Sequence, residues 1–183
     1  QIMELLCTYH HFDIQWGNHD IEWMGAAAGN LALIASVLRV SIRYANVETL
    51  EEDYSINLLP LANFAMHTYG DDPCTVFQTK DFENNPRLTR SADLMAKMHK
   101  AISIIQFKLE GQIIQRHPEY EMNDRLLLHL IDKERGTITI AGKEYALSDS
   151  NLPTLDPQNP YALSAEEQSL IDQLAHSFQR SEK

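Results

Sequence analysis

Ile2, Leu5, Leu6 and Tyr9 recur at helical spacing, and the next apolar residues, Phe12, Ile14 and Trp16, alternate with Asp13 and Gln15 before Gly17 breaks the pattern. The first twenty residues therefore read as helix, strand and loop, half of a βαβ unit. Ligands tend to sit in the loop at the carboxyl end of such a strand. Residues 21 to 46 are rich in Ala, Leu, Ile and Val, with Gly25 and Gly29 inside, and predict one long or two consecutive helices. Leu58, Leu59, Leu61, Ala62, Phe64, Ala65 and Met66 predict a buried helix over 57–69 around Pro60. The stretch 71–87, with Pro73, Pro86, Asn84 and Asn85, predicts an irregular connection.

From Ser91 the apolar positions Leu94, Met95, Met98, Ala101, Ile102, Ile105, Leu109, Ile113 and Ile114 keep helical register for about seven turns, until Pro118. Lys97, Lys100 and Lys108 are expected on the wetter side of that helix. Gly111 interrupts it and marks either close packing or a kink. Leu126, Leu128, Leu130, Ile138, Ile140, Tyr145 and Leu147, with turns at Glu134–Gly136 and Gly142–Lys143, predict a small antiparallel meander. After a polar, proline-bearing stretch from Asp149 to Pro160, Ser164 and Glu167 form a capping box at the start of a last helix. The chain divides into a helix-strand-loop piece (1–20), a helical region (21–122), a meander (123–150), and a linker with a C-terminal helix (151–183). No internal repeat or low-complexity segment is present. Both ends fall inside helical patterns without caps, which is expected of a piece of a longer protein.

Composition narrows the function classes. Of 183 residues, 44% are hydrophobic and 22% charged, ordinary for a globular domain with a sizeable core. The net charge of −11 argues against nucleic acid as a partner, because backbone binding relies on clustered Lys and Arg. A phosphate-bearing ligand would have to be held by local cations or metal ions against that field. Cys7 and Cys74 are the only cysteines, read as buried thiols of a reducing cytosol. No window approaches the roughly 18 apolar residues of a membrane span, so neither membrane nor leader is expected.

Candidate chemistry lies at Gly17, Asn18, His19 and Asp20. An Asn carbonyl is a neutral oxygen ligand for a divalent metal, and an adjacent His can face a reacting phosphate and protonate a leaving alkoxide. The following carboxylate can fix the His tautomer. The competing reading makes Asn18 and Asp20 caps of the next helix and His19 an ordinary loop residue. Arg39 and Arg43 could fork onto a sugar phosphate; solvated or carboxylate-paired arginines are the commoner case. Trp16 and Trp23 are expected as core and loop wall, with sugar stacking as the alternative. The remaining histidines, His10, His11, His67, His99, His117, His129 and His176, show no HxH or HExxH spacing.

The run DIQWGNHDIEWMGAAAGN, then Arg39, RYAN at 43–46 and NLLPLANFA at 57–65, resembles the bacterial class III fructose-1,6-bisphosphatases of the calcineurin-like metallophosphoesterase superfamily. IIQFKLEGQIIQRHPEYEM at 104–122, DRLLLHLID ending at Asp132, and Pro153-Thr154 carry the same resemblance, which covers nearly the whole chain. It implies a mainly α chain with a small β part: a helical insertion plus one strand-loop piece of an α/β metallophosphoesterase fold. It also implies a cytoplasmic two-metal hydrolase, using manganese, that releases the 1-phosphate of the sugar bisphosphate fructose 1,6-bisphosphate in gluconeogenesis. On that reading Asn18 is a metal ligand, His19 the general acid, and Asp20 its supporting catalytic carboxylate. The superfamily's upstream Asp-x-His, its GDxxDR motif and its later Gly-His loops do not occur here, and the GDDP at 70–73 lacks the Asp-Arg ending. The dinuclear site is therefore expected not to assemble in this chain alone, and the chain alone to be inactive. The rivals are a metallophosphoesterase of other substrate and a helical binding module in which GNHD is only a cap.

Overall fold

The computed structural model describes residues 2–80 and 91–181. The expectation for residues 81–87 falls outside the described residues. Six α-helices carry the fold: α1 (Ile2–Leu6), α2 (Asn18–Ala27), α3 (Leu31–Arg43), α4 (Leu59–Tyr69), α5 (Ala92–Arg116) and α6 (Ala165–Arg180). A sheet of three short strands, β1 (Ile131–Asp132), β2 (Thr137–Ile140) and β3 (Lys143–Ala146), lies between α5 and α6 in sequence.

The helices start and stop where side chains dictate. Asn30 accepts the Leu33 N–H at the head of α3, and Ser91 does the same for Leu94 at the head of α5. The Ser164 hydroxyl accepts the Glu167 N–H while the Glu167 carboxylate accepts the Ser164 N–H, the capping box expected for α6. Pro60 occupies the first turn of α4, where its missing N–H costs nothing. The apolar stretch 21–46 is two helices, because the Gly29 backbone at φ +88 turns the chain between α2 and α3.

Helix α5 is the axis of the bundle. It packs against α3 and α4, α2 lies on α3, and α6 closes the bundle against α2, α3 and α4. Ile34, Leu38, Ile42, Leu50, Leu58, Leu61, Met95, Met98, Ile102, Ile105, Ile171 and Leu174 make one continuous core with no solvent exposure. A second, smaller core of Ile104, Leu128, Leu152, Leu155 and Tyr161 joins the far side of α5 to the linker.

Four sequence expectations are corrected. Phe12 to Trp16 form no strand: the segment has no regular structure and is exposed, since among the described residues no strand lies beside it to pair with it. The opening helix ends at Leu6 rather than reaching Tyr9. Leu126–Leu130 belong to tight 3₁₀ turns, so the meander starts only at Ile131, with Ile138 opposite Ile131 and Tyr145 opposite Ile138. Lys97, Lys100 and Lys108 are not on a wet side of α5; each is at most 4% exposed.

These lysines are buried because each has a carboxylate in reach. Lys97 bonds Asp93 one turn earlier at 2.5 Å. The Lys100 ammonium lies 2.6 Å from Asp72 and 2.6 and 2.7 Å from the two Asp149 oxygens, with the Tyr69 ring 5.0 Å away. Asp72 also accepts the Cys74 N–H and the Asn151 side-chain amide, each at 2.8 Å, which holds Cys74 in its left-handed conformation. Lys108 donates to Glu167 at 2.6 Å and to the Thr154 carbonyl at 2.7 Å. Burying an ammonium is costly unless it is paired and hydrogen-bonded, as each of these is. The linker 149–167 is thereby bolted to α5 at two points 8 residues apart.

Burial works to raise the Asp72 carboxyl, but the bonds from Lys100, Cys74 and Asn151 outweigh it and hold its pKa below the ordinary carboxylate value. That stabilisation is present above the ordinary carboxylate range and is lost as pH falls through the depressed folded value. Lys100→Ala should lower the unfolding free energy by about 3–5 kcal/mol at neutral pH. The deficit should shrink in acid, as measured by denaturant titrations at several pH values. Gly111 marks close packing: a Cβ there would fall 2.1 Å from Tyr161 Cδ1. Gly111→Ala should therefore lower stability by about 1–3 kcal/mol, against the gain of up to about 1 kcal/mol that helix propensity alone gives. Thermal or denaturant unfolding reads the sign.

Candidate active site

The GNHD segment forms the N-terminal turn of α2. Gly17 is the capping residue at φ −75°, ψ 166°, and its carbonyl accepts the Ile21 N–H at 3.3 Å. This conformation is open to any residue, so glycine is not needed for a sharp turn. What glycine leaves is room: a Cβ at this position would sit 3.2 Å from Asp20 Oδ2. Asp20 uses that space, its Oδ2 accepting the Gly17 N–H at 2.8 Å. A carboxylate in the first turn also complements the positive end of the helix.

Asn18 and His19 are exposed on this turn. The residue near the His19 imidazole is Glu22, whose Oε2 lies 3.6 Å from Nδ1, while the Asp20 carboxylate is turned to the backbone. Asp20 was expected to fix the His19 tautomer, and the geometry gives it the cap instead, because its short side chain reaches back to the Gly17 N–H. Glu22 went unnoticed in the sequence, although the i,i+3 spacing from His19 places the two on adjoining turns.

The turn is held by aromatic packing behind it. The Trp23 ring lies 4.8 Å from Tyr54 and 6.3 Å from Phe178, fixing α2 to the segment before α4 and to the end of α6. Trp23 is thus core, as expected, whereas Trp16 is 51% exposed. Trp16, Asp20, Trp23, Met24, Tyr54 and Phe178 line a groove of about 490 Å³ beside the turn. A wider groove of about 1000 Å³ runs along α6 past Asn57, Gln173, His176 and Arg180 and holds none of the candidate residues.

The other sequence candidates lie apart from GNHD. Arg39 donates from Nε to the Gln106 side-chain oxygen at 2.5 Å. Neither it nor Arg43 pairs with a carboxylate among the described residues. Cys7 is exposed, contrary to expectation, and Cys74 is buried, with its thiol pushed up to about 12 by burial and by Asp72. His99 is buried, with its Nδ1 2.8 Å from the Phe77 carbonyl. Among the described residues, no group of three or more His, Cys, Asp or Glu side chains is placed to hold a metal ion. No described helix is long and apolar enough to cross a membrane.

The family model for Firmicute fructose-1,6-bisphosphatase matches residues 1–183. The chain belongs to that family. Among curated relatives, fructose-1,6-bisphosphatase class 3 of Parabacteroides distasonis is 60% identical over 183 residues, that of Bacteroides thetaiotaomicron 57% over 183, and that of Clostridium botulinum 56% over 182. Each match covers the whole of this chain and 28% of the relative. The chain thus spans between a quarter and a third of the length of these relatives. No solved structure matches it.

Loss of the cap should loosen the turn without dissolving the bundle. Asp20→Ala should cost about 1 kcal/mol and speed amide exchange in residues 17–21. Exchange unchanged in that stretch would show that the cap does not hold it.

Proposed function

We propose that this chain is part of a metal-dependent phosphatase that releases the 1-phosphate of fructose 1,6-bisphosphate, giving fructose 6-phosphate and phosphate, in cytoplasmic gluconeogenesis. The observation that carries the reading is the 56–60% identity, over the entire chain, to relatives named fructose-1,6-bisphosphatase class 3. Support comes from the exposed GNHD turn at the positive end of α2, where a phosphate's negative charge is favoured.

Within that reading His19 is the general acid. Water oxygen bonds to phosphorus, the bond from phosphorus to the sugar's O1 breaks, and the His19 imidazole delivers a proton to that departing oxygen. Its 68% side-chain exposure leaves the ring free to meet a substrate. Asp20 supports it indirectly, by holding the turn on which Asn18 and His19 stand.

Manganese, in a dinuclear centre, would supply a polarised water and neutralise phosphate charge. Of its ligands this chain offers the Asn18 carbonyl, and one neutral oxygen is too weak a donor set to hold a divalent ion. The residues present do not by themselves fit the metal centre, and its other donors belong to the remaining length of the protein. The same holds for the fold. Phe12, Ile14 and Trp16 alternate with polar residues in sequence and are exposed without regular structure, as a segment would be whose strand neighbours in an α/β metallophosphoesterase sheet lie elsewhere in the protein.

The complete protein should release phosphate from fructose 1,6-bisphosphate when given manganese, and His19→Ala should lower kcat about 10²–10⁴-fold with unchanged circular dichroism. Full activity in His19→Ala and Asn18→Ala would favour a helical module in which GNHD is merely a cap.

A further inference from the structure

The chain carries 26 acidic and 15 basic residues, yet among the described residues Arg39 and Arg43 on α3 pair with no carboxylate. Arg39 and Arg43 are four residues apart on α3, so their side chains leave the helix on one face about 6 Å apart. Arg39 is anchored only through Nε, to the Gln106 oxygen at 2.5 Å. Gln106 is 5% exposed and is itself held by Glu110 at 2.5 Å, so an amide stands between the guanidinium and the nearest acid it reaches. The two terminal nitrogens of Arg39 make no hydrogen bond or ion pair among the described residues, and the Arg43 guanidinium makes none at all there.

Lys80 is brought to the same place by its backbone, whose N–H donates to the Arg43 carbonyl at 2.7 Å, and its ammonium lies over the Tyr44 ring at 5.6 Å. His99 approaches from α5, 3% exposed, with its ring edge-on to Phe77. Burial holds its imidazole below the ordinary pKa, and the Arg43 and Arg39 charges act in the same direction against the opposing Phe77 carbonyl. The region is electropositive in an anionic chain.

Arg43 alone has an ordinary explanation, since a cation in the last turn of a helix complements the dipole. Arg39 stands a turn earlier and gains little from that effect. Two guanidinium forks with open donors among the described residues, that of Arg39 held by a buried amide, match the tetrahedral oxygens of a phosphate. We propose that Arg39 and Arg43, with Lys80 beside them, form a binding site for the phosphate group of a phosphate monoester. The proposal deepens the reading above and rests on it for the identity of the ligand: the phosphate of the bisphosphate that is not cleaved. Free phosphate offers the same oxygens, and the arms of the test separate the two.

The complete protein, its Arg43→Ala and Arg39→Ala/Arg43→Ala variants, and Lys143→Ala as a control for the loss of one exposed cation elsewhere would be compared. Calorimetric titration uses inorganic phosphate and fructose 6-phosphate as probes, and steady-state kinetics uses fructose 1,6-bisphosphate. The double variant should bind both probes at least about tenfold more weakly, and its KM should rise about 10- to 100-fold with kcat within about twofold. Lys143→Ala should leave both unchanged, and Arg39→Lys/Arg43→Lys should recover part of the loss. Weaker phosphate binding with an unmoved KM would keep the site and assign it to free phosphate. Undiminished binding of both probes in a double variant that melts like the parent overturns the proposal. Should the double variant melt early, Arg43→Ala decides alone, because that guanidinium makes no hydrogen bond or ion pair among the described residues. A parent that binds phosphate through these arginines but hydrolyses nothing would leave the site standing and remove the proposed activity.

Discussion

Two buried lysines on one helix organise this molecule. Lys100 and Lys108 have no solvent exposure, and every bond they make reaches across to a segment distant in sequence: Asp72, Asp149, Thr154 and Glu167. Removing one ammonium would strand carboxylates in a medium that cannot solvate them, so the pairs are conditional on one another. Their effect is to convert a polar, proline-bearing linker into a fixed strap. That strap carries Leu152, Leu155 and Tyr161 into the second core and delivers Ser164 to the head of α6.

The placement of α6 has consequences at the candidate site. Its far end brings Phe178 against Trp23, and the Ser181 hydroxyl donates to the Tyr54 carbonyl at 2.8 Å. The Ser177 hydroxyl accepts the Asn57 N–H at 2.9 Å. Thus the chain of support runs from α5 through the strap to α6, and from α6 to the helix whose first turn displays Asn18 and His19. The candidate residues Asn18 and His19 stand exposed at the edge of the bundle, on the first turn of α2.

GNHD stands out in the sequence by its residue types, but α2 begins at Asn18, inside the motif, rather than at Ile21 where the apolar pattern starts. The division of labour inside the turn was not readable. Asp20 and Glu22 are both carboxylates within reach of His19 in sequence; only rotamers and backbone direction assign one to the Gly17 N–H and the other to the imidazole. Likewise, Arg39 and Arg43 are two arginines in a helical string until the structure shows that no carboxylate among the described residues pairs with them.

What the sequence by itself determined was local: approximate helix positions, the capping box at Ser164, the two later strands of the meander, and membership of a family through runs that span the chain. These depend on neighbours within about four residues, which the periodicity records. Tertiary structure decided the rest. Lys100 and Lys108 are buried because their partners arrive from residues 28 to 59 positions away, which no helical wheel contains. Phe12–Trp16 stays unpaired because a strand is stable only against another strand, and alternation alone does not supply the hydrogen-bond partner.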